Sequence, residues 1–361
     1  MKQRRRVIIW LTEMMDLIDG KPIGGIAVQM HFWAQVFAKN GWQVFSFADH
    51  INATVNKDEI VFKPIRRIRR INFILEWWWA FKYLIVIHPK LIIYRGANRS
   101  LLPVSVFARI FGIRLVFFSA SDVNFEPGKE MIKGELNRKM YHRSIKHIRY
   151  FVTQNQHQHD TLYKEYGKES LIMYNIWGHT SLDSSKDDPP KCDVVWVANY
   201  RKLKRAEWVV DAAEQLPDFL FAMAGGRSSG EGSYYDEIQR RGERCPNLKL
   251  LGGRSFFYTN ELVARSKVLL CTSVFEGFPN TFLQAWSNGI PVISTVDPSC
   301  IIVNNGLGVV VSNQQELVAA ILRVLRDEDY YKRLSSSVSD FFMKNHAAQS
   351  GFERLIKYLD I

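Results

Sequence analysis

Between Val194 and Ser294 short apolar runs alternate with helix-length segments, and this alternation constrains the fold more than any other property of the chain. The pattern predicts strands at Val194 to Ala198, Leu220 to Ala224, Leu248 to Leu251, Val268 to Thr272 and Val292 to Ser294. Helices are predicted between them at Glu207 to Gln215, Tyr234 to Glu243, Asn260 to Arg265 and Thr281 to Asn288. Strand and helix in strict turn over more than a hundred residues indicate a parallel, doubly wound sheet.

The first half carries the same signature. A strand at Val7 to Leu11 leads through Gly24 and Gly25 into a helix from about Ile26 to Asn40, followed by a strand at Gln43 to Phe47. Ile26, Met30, Trp33 and Phe37 share one helical face, and Gly41 supplies the left-handed stop. Further strands are predicted at Leu91 to Tyr94 and Leu115 to Phe118, and closing helices at Gln314 to Leu325 and Phe352 to Leu359. At 361 residues, 47% of them hydrophobic, the chain exceeds the roughly 250 residues over which one core keeps growing. The polar, proline-containing stretch Ser181 to Lys191 reads as a linker. The fold class is therefore α/β, with two Rossmann-like doubly wound lobes facing a cleft: residues 1–183 and 184–342, a helix at about 343–361 packing back on the first lobe. Ligands of open α/β sheets bind outside the carboxyl ends of the strands, so function is sought on strand-end loops.

Two such loops stand out. The run Ser273 to Ser294 is a strand end, a Gly/Pro loop with Glu276, Gly277, Phe278, Pro279, Asn280 and Thr281, a short helix, a glycine stop at Gly289 and a new strand. Free backbone N–H groups at such a helix start favour phosphate, although an ordinary βαβ connection shares the pattern. The loop Trp196 to Trp208 holds Asn199, Arg201, Lys202, Lys204 and Arg205 and precedes Gly225 and Gly226. By itself it also fits a solvated basic turn.

The first of these runs resembles the donor-site signature of retaining glycosyltransferase family 4 (glycosyl transferases group 1) of the GT-B fold: a Glu, a second Glu eight positions on, a small-residue helix and Gly-x-Pro-Val. Glu276, Gly277, Phe278, Pro279, Ala285, Gly289, Pro291 and Val292 match; the second acid is replaced by Gln284. The resemblance implies that Glu276 holds donor-sugar hydroxyls and steadies an oxocarbenium-like transition state while Gln284 faces the ribose through its neutral amide. Lys204 aligns with the family lysine that grips the donor diphosphate; Asn199 occupies the usual arginine position, leaving Arg201 or Arg205 to contribute. Gly24 and Gly25 resemble the glycine loop of the acceptor-side lobe, and Ser121 or Asp122 ends the strand where relatives carry a histidine near the reacting sugar. On this basis Glu276, Lys204 and Asp122 are the catalytic candidates. No obligatory cofactor is implied, the nucleoside diphosphate-sugar being a substrate, and the nine histidines show no metal spacing.

Charge is divided unevenly. Residues 1–170 carry 27 Lys and Arg against 14 Asp and Glu, and the remainder 21 against 22. In the basic half Arg66, Arg67, Arg69 and Arg70 lead into Trp77, Trp78 and Trp79, a combination suited to an anionic membrane surface, though a charged loop entering a buried helix reads the same. Nucleic acid is the weaker partner, since no binding module appears and the aromatics sit in one apolar run. The longest apolar stretch, Ile71 to Ile87, includes Glu76 and Lys82 and falls short of a membrane span; Val7 to Leu11 is too short for a signal core. The four cysteines lack zinc or disulfide-framework spacing, which points to a reducing compartment. The expectation is a cytoplasmic or peripherally membrane-bound enzyme transferring a sugar to a glycan or lipid-linked acceptor in surface polysaccharide assembly. A GT-B sugar-nucleotide epimerase and a catalytically weak glycan-binding scaffold are the alternatives.

Overall fold

A computed structural model describes residues 4–21, 24–65, 72–130, 132–178, 188–276 and 278–361. The chain divides into two compact units: residues 1–19, 23–178 and 347–361 form the first, and residues 20–22 with 179–346 the second.

The first unit is built on an eight-stranded sheet whose strands are β1 (Arg6–Ile9), β2 (Gln43–Ala48), β3 (Val55–Lys57), β4 (Ile60–Pro64), β5 (Leu91–Arg95), β6 (Arg114–Phe118), β7 (Tyr150–Thr153) and β8 (Leu171–Ile172). They lie in the order β3-β4-β2-β1-β5-β6-β7-β8. All neighbours are parallel except β3 and β4. That hairpin went unread in the sequence because its two-residue turn is Asp58-Glu59, both at positive φ, in place of the Asn-Gly or Asp-Gly that usually marks such a turn. Val7, Ile8 and Ile9 of β1 and Leu91, Ile92 and Ile93 of β5 are wholly buried, as expected for central parallel strands covered on both faces.

The predicted first helix runs Gly25–Lys39 and buries Met30, Trp33 and Phe37, whereas Ile26 is exposed. The last helix, Ala348–Leu359, packs on it: Phe352 meets Phe37 edge to face at 5.0 Å, and Asn40 Nδ2 donates to Gln349 Oε1 at 2.9 Å. The apolar stretch around the tryptophans forms a helix, Asn72–Ile87. Among the described residues no helix is long and apolar enough to cross a membrane.

The second unit holds a six-stranded, wholly parallel sheet: β9 (Val194–Val197), β10 (Phe221–Ala224), β11 (Leu248–Leu250), β12 (Val268–Cys271), β13 (Val292–Ser294) and β14 (Gly308–Val310), in the order β11-β10-β9-β12-β13-β14. Each strand expected in this half is present within a residue at either end; β14, only three residues long, was not predicted. The helix expected at Asn260 starts earlier, at Phe256, because Ser255 caps it by accepting from the Tyr258 N–H at 3.2 Å.

Both sheets reverse their winding direction once. In the first the chain winds outward from β1 through β2 and β4, then restarts at β5 on the other side of β1; in the second it restarts at β12 beside β9. At such a reversal the loops after the two central strands diverge and leave a crevice.

Candidate functional site

In the second unit the loops after β9 and β12 are stitched together. Thr272 Oγ1 donates to the Lys204 carbonyl at 2.6 Å and accepts from Trp196 Nε1 at 3.1 Å, and the Val274 N–H donates to Leu203 O at 2.8 Å. Arg205, at φ 47°, turns its guanidinium onto the Thr272 carbonyl (2.6 Å) and the Ser273 carbonyl (3.0 Å), 4.1 Å from the Trp208 ring centroid. With both loops fixed, Lys204 Nζ pairs with Glu276 Oε1, which also accepts from Ser273 Oγ at 2.8 Å. The two side chains remain about one fifth exposed, so the pair is open to exchange with a ligand.

The crevice at this reversal has a volume of about 340 Å³. Of the residues singled out in the sequence, Asn199, Arg201, Lys204, Glu276, Phe278, Pro279, Asn280 and Thr281 line it. Asn280 Oδ1 is buried there without a hydrogen-bond partner. Arg205 does not line it, being occupied with loop carbonyls. Gln284 is also elsewhere, buried in the helix Asn280–Trp286. Gly225 allows β9 and β10 to approach, since a Cβ there would stand 1.8 Å from the Ala198 carbonyl oxygen; the Gly226 N–H donates to Asn199 Oδ1 at 3.1 Å and so sets the side chain of a lining residue. Gly277 lies outside the described residues.

Ser273 is a site residue that the sequence reading passed over, and its place directly after a strand end was the available signal. Cys271 also lines the crevice, but burial first, and Glu276 as well, push its thiol pKa up, which leaves it protonated and poorly nucleophilic at neutral pH.

In the first unit the residues around the β1 and β5 ends enclose a second cavity, of about 460 Å³. Gly24 caps the helix that begins at Gly25, and the next residue, Ile26, lines the cavity. Trp10, Glu13, Trp79, Tyr94, Arg95 and Arg99 line it too, and of these only Trp79 was singled out in the sequence. Asp122 is not among the lining residues. It opens a short 3-10 turn, and its Oδ1 accepts from Asn155 Nδ2 at 3.0 Å and Gln158 Nε2 at 2.7 Å.

The three tryptophans divide by function within the helix. Trp77 packs edge-on to Phe107, Trp79 stacks on Tyr83 under Lys82, and Trp78 is 53% exposed. Arg66, Arg67, Arg69 and Arg70 lie outside the described residues. Among the described residues no three His, Cys, Asp or Glu side chains gather as a metal-ligand set.

The family described as glycosyl transferases group 1 matches residues 191–327. The GtfA subunit of UDP-N-acetylglucosamine–peptide N-acetylglucosaminyltransferase of Streptococcus pneumoniae is 23% identical over 155 residues, covering 40% of this chain and 30% of that protein. The O-antigen biosynthesis glycosyltransferase WbnH of Escherichia coli is 22% identical over 177 residues, 46% of this chain and 50% of that protein. The chain thus spans half or less of the length of these relatives. The crystal structure of Anabaena HepE with UDP and glucose superposes with a TM-score of 0.66 at 16% identity, covering 99% of this chain and 100% of that one. At that identity the superposition establishes the fold.

Proposed function

We propose that this chain, whose residues 191–327 match the glycosyl transferases group 1 family and whose fold is that of HepE, is a retaining glycosyltransferase of the GT-B type acting on a nucleoside diphosphate-sugar. The observation that carries the reading is the Lys204–Glu276 pair at the reversal between β9 and β12, in a crevice large enough for part of a nucleotide-sugar. Uridine is the favoured base, because GtfA is a subunit of a UDP-N-acetylglucosamine–peptide transferase and HepE was crystallised in complex with UDP.

In this reading the donor diphosphate takes Lys204 from Glu276, and Arg201 supports it from the same loop. Negative charge that grows on the departing nucleoside diphosphate is then met by a fixed cation, and Glu276, freed of its partner, faces the sugar whose anomeric carbon becomes positive. Both groups are held by stitched loops before the donor arrives, so little reorganisation accompanies the reaction. The acceptor is a glycan or lipid-linked glycan of surface polysaccharide assembly, a reading supported by the relative in O-antigen biosynthesis.

A thermal-shift screen against nucleoside diphosphates and their sugars tests the donor assignment, because a ligand of the native state raises its apparent stability. A shift with UDP and its sugars is expected; no shift with any nucleotide refutes the assignment. Turnover of donor without an added acceptor favours the epimerase alternative.

A lipid-linked acceptor agrees with the helix Asn72–Ile87. Ile74, Trp78, Phe81 and Ile85 recur at i, i+4, i+7 and i+11 and are 66%, 53%, 40% and 46% exposed, an apolar stripe next to the exposed Ile110 and Phe111. With the excess of basic residues in the first half, this stripe favours peripheral attachment to an anionic bilayer. Cosedimentation with anionic vesicles is expected for the wild type and reduced for a Trp78→Ser, Phe81→Ser double variant; equal binding refutes it.

A further inference from the structure

The cavity of about 460 Å³ in the first unit occupies the reversal between β1 and β5, the same position in its sheet that the candidate donor crevice holds in the other. Its chemistry differs. Trp10 presents aromatic surface, Tyr94 is buried with its hydroxyl 2.7 Å from Ser100 Oγ, and among the described lining residues two arginines, Arg95 and Arg99, accompany one carboxylate, the exposed Glu13.

Arg95 is the unusual member. It ends β5, and its Nη2 donates to Asn175 Oδ1 at 2.7 Å, a neutral partner. Its Nε is shut off from water with no hydrogen-bond partner, and among the described residues no carboxylate pairs with it. Burial draws the guanidinium pKa down to about 10, so it still carries its charge at neutral pH. A half-buried cation whose hydrogen-bond partner among the described residues is an amide, with its Nε shut off from water, is costly, and natural proteins keep such a group where something else supplies the counter-charge. Here it lines a cavity of sugar-compatible size, walled in part by the Trp10 ring, a surface of the kind on which the apolar face of a pyranose packs.

We propose that this cavity binds the acceptor, and that the acceptor carries an anionic group on its terminal sugar, a carboxylate or a phosphate received by Arg95, with the sugar ring against Trp10. The planar fork of arginine suits both oxyanions. Arg99 adds a second positive charge to the lining, and Glu13 is placed to accept from sugar hydroxyls. The assignment rests on the transferase reading, since an acceptor is what that reaction requires beyond the donor.

The test uses the full chain with UDP at saturation and three probes: glucuronic acid, glucose 6-phosphate and glucose, their affinities measured by saturation-transfer NMR. At least one acidic sugar is expected to bind roughly tenfold or more tightly than glucose. Preference for glucuronic acid identifies a uronate acceptor, and preference for glucose 6-phosphate a phosphorylated one. In Arg95→Met that preference is expected to vanish while UDP affinity stays within about twofold and the melting temperature does not fall, because the substitution removes a half-buried cation with no carboxylate partner among the described residues. Arg95→Lys, which keeps the charge, is expected to retain part of the preference and serves if the methionine variant does not fold. Equal binding of acidic and neutral sugars by the wild type overturns the proposal, as does an acidic preference that survives in Arg95→Met or one undiminished in Arg95→Lys. Failure of UDP itself to bind the wild type sinks the transferase reading instead, so the two failures are told apart.

Discussion

Lys204 and Glu276, 72 positions apart in the chain, meet as an ion pair over the carboxyl ends of β9 and β12. Neither residue finds the other through local structure. The pairing depends on β9 and β12 being neighbours in the sheet and on Thr272 and Arg205 tying their loops together.

Because the pair is only partly shielded, its own contribution to stability is about 1 kcal/mol or less. Lys204→Ala is therefore expected to change the denaturation midpoint little, yet to weaken UDP binding by about tenfold to a hundredfold, the worth of a charge-assisted contact to phosphate. Isothermal titration with UDP checks this; an unchanged Kd removes Lys204 from the diphosphate site.

Glu276→Gln keeps the size of the side chain and can still accept from Ser273 Oγ, so the loop should hold. Transfer is expected to fall by about a hundredfold or more, with the UDP thermal shift retained, because the lost charge matters in the transition state. A variant that turns over at the wild-type rate shows that Glu276 has no part in the chemistry.

Arg205 is expected to behave as a structural residue. Arg205→Ala deletes two charged hydrogen bonds to the Thr272 and Ser273 carbonyls and should cost about 2 kcal/mol in urea denaturation. Arg205→Lys should recover little, since an ammonium lacks the forked geometry that reaches both carbonyls. If Arg205→Ala melts like the wild type while losing UDP, the residue acts on the ligand directly.

His31 makes the first unit acid-sensitive. It is fully buried on the helix Gly25–Lys39; burial lowers its pKa from the ordinary 6.5 to about 4, with Asp58 opposing weakly. Between those values the unfolded chain binds a proton that the folded chain refuses, so stability is complete above pH 6.5 and declines as pH falls toward 4. The full difference is worth about 3 kcal/mol. Urea midpoints measured from pH 7 to pH 4 are expected to fall less steeply for His31→Gln than for the wild type; parallel slopes would rule the residue out.

The legibility of the site followed the range of the interactions that make it. Glu276, Phe278, Pro279, Asn280 and Thr281 were readable because one contiguous strand-loop-helix carries them, and the basic loop from Asn199 to Arg205 was readable for the same reason. Charge type alone could not sort that loop. Arg201 and Lys204 face the crevice while Arg205 faces carbonyls, a division set by the left-handed turn at Arg205. Gln284 falls in the expected helix, but the direction of its side chain depends on how that helix packs.

Periodicity of apolar residues was enough to determine two doubly wound lobes, their order in the chain and nine of the fourteen described strands, because backbone hydrogen bonding and burial repeat locally. What the tertiary structure alone decided is which strand ends become neighbours. That placed Glu276 against Lys204 and, among the described residues, left Arg95 without a counter-charge beside Trp10, since sheet order is settled by packing between segments far apart in sequence and no local pattern encodes it.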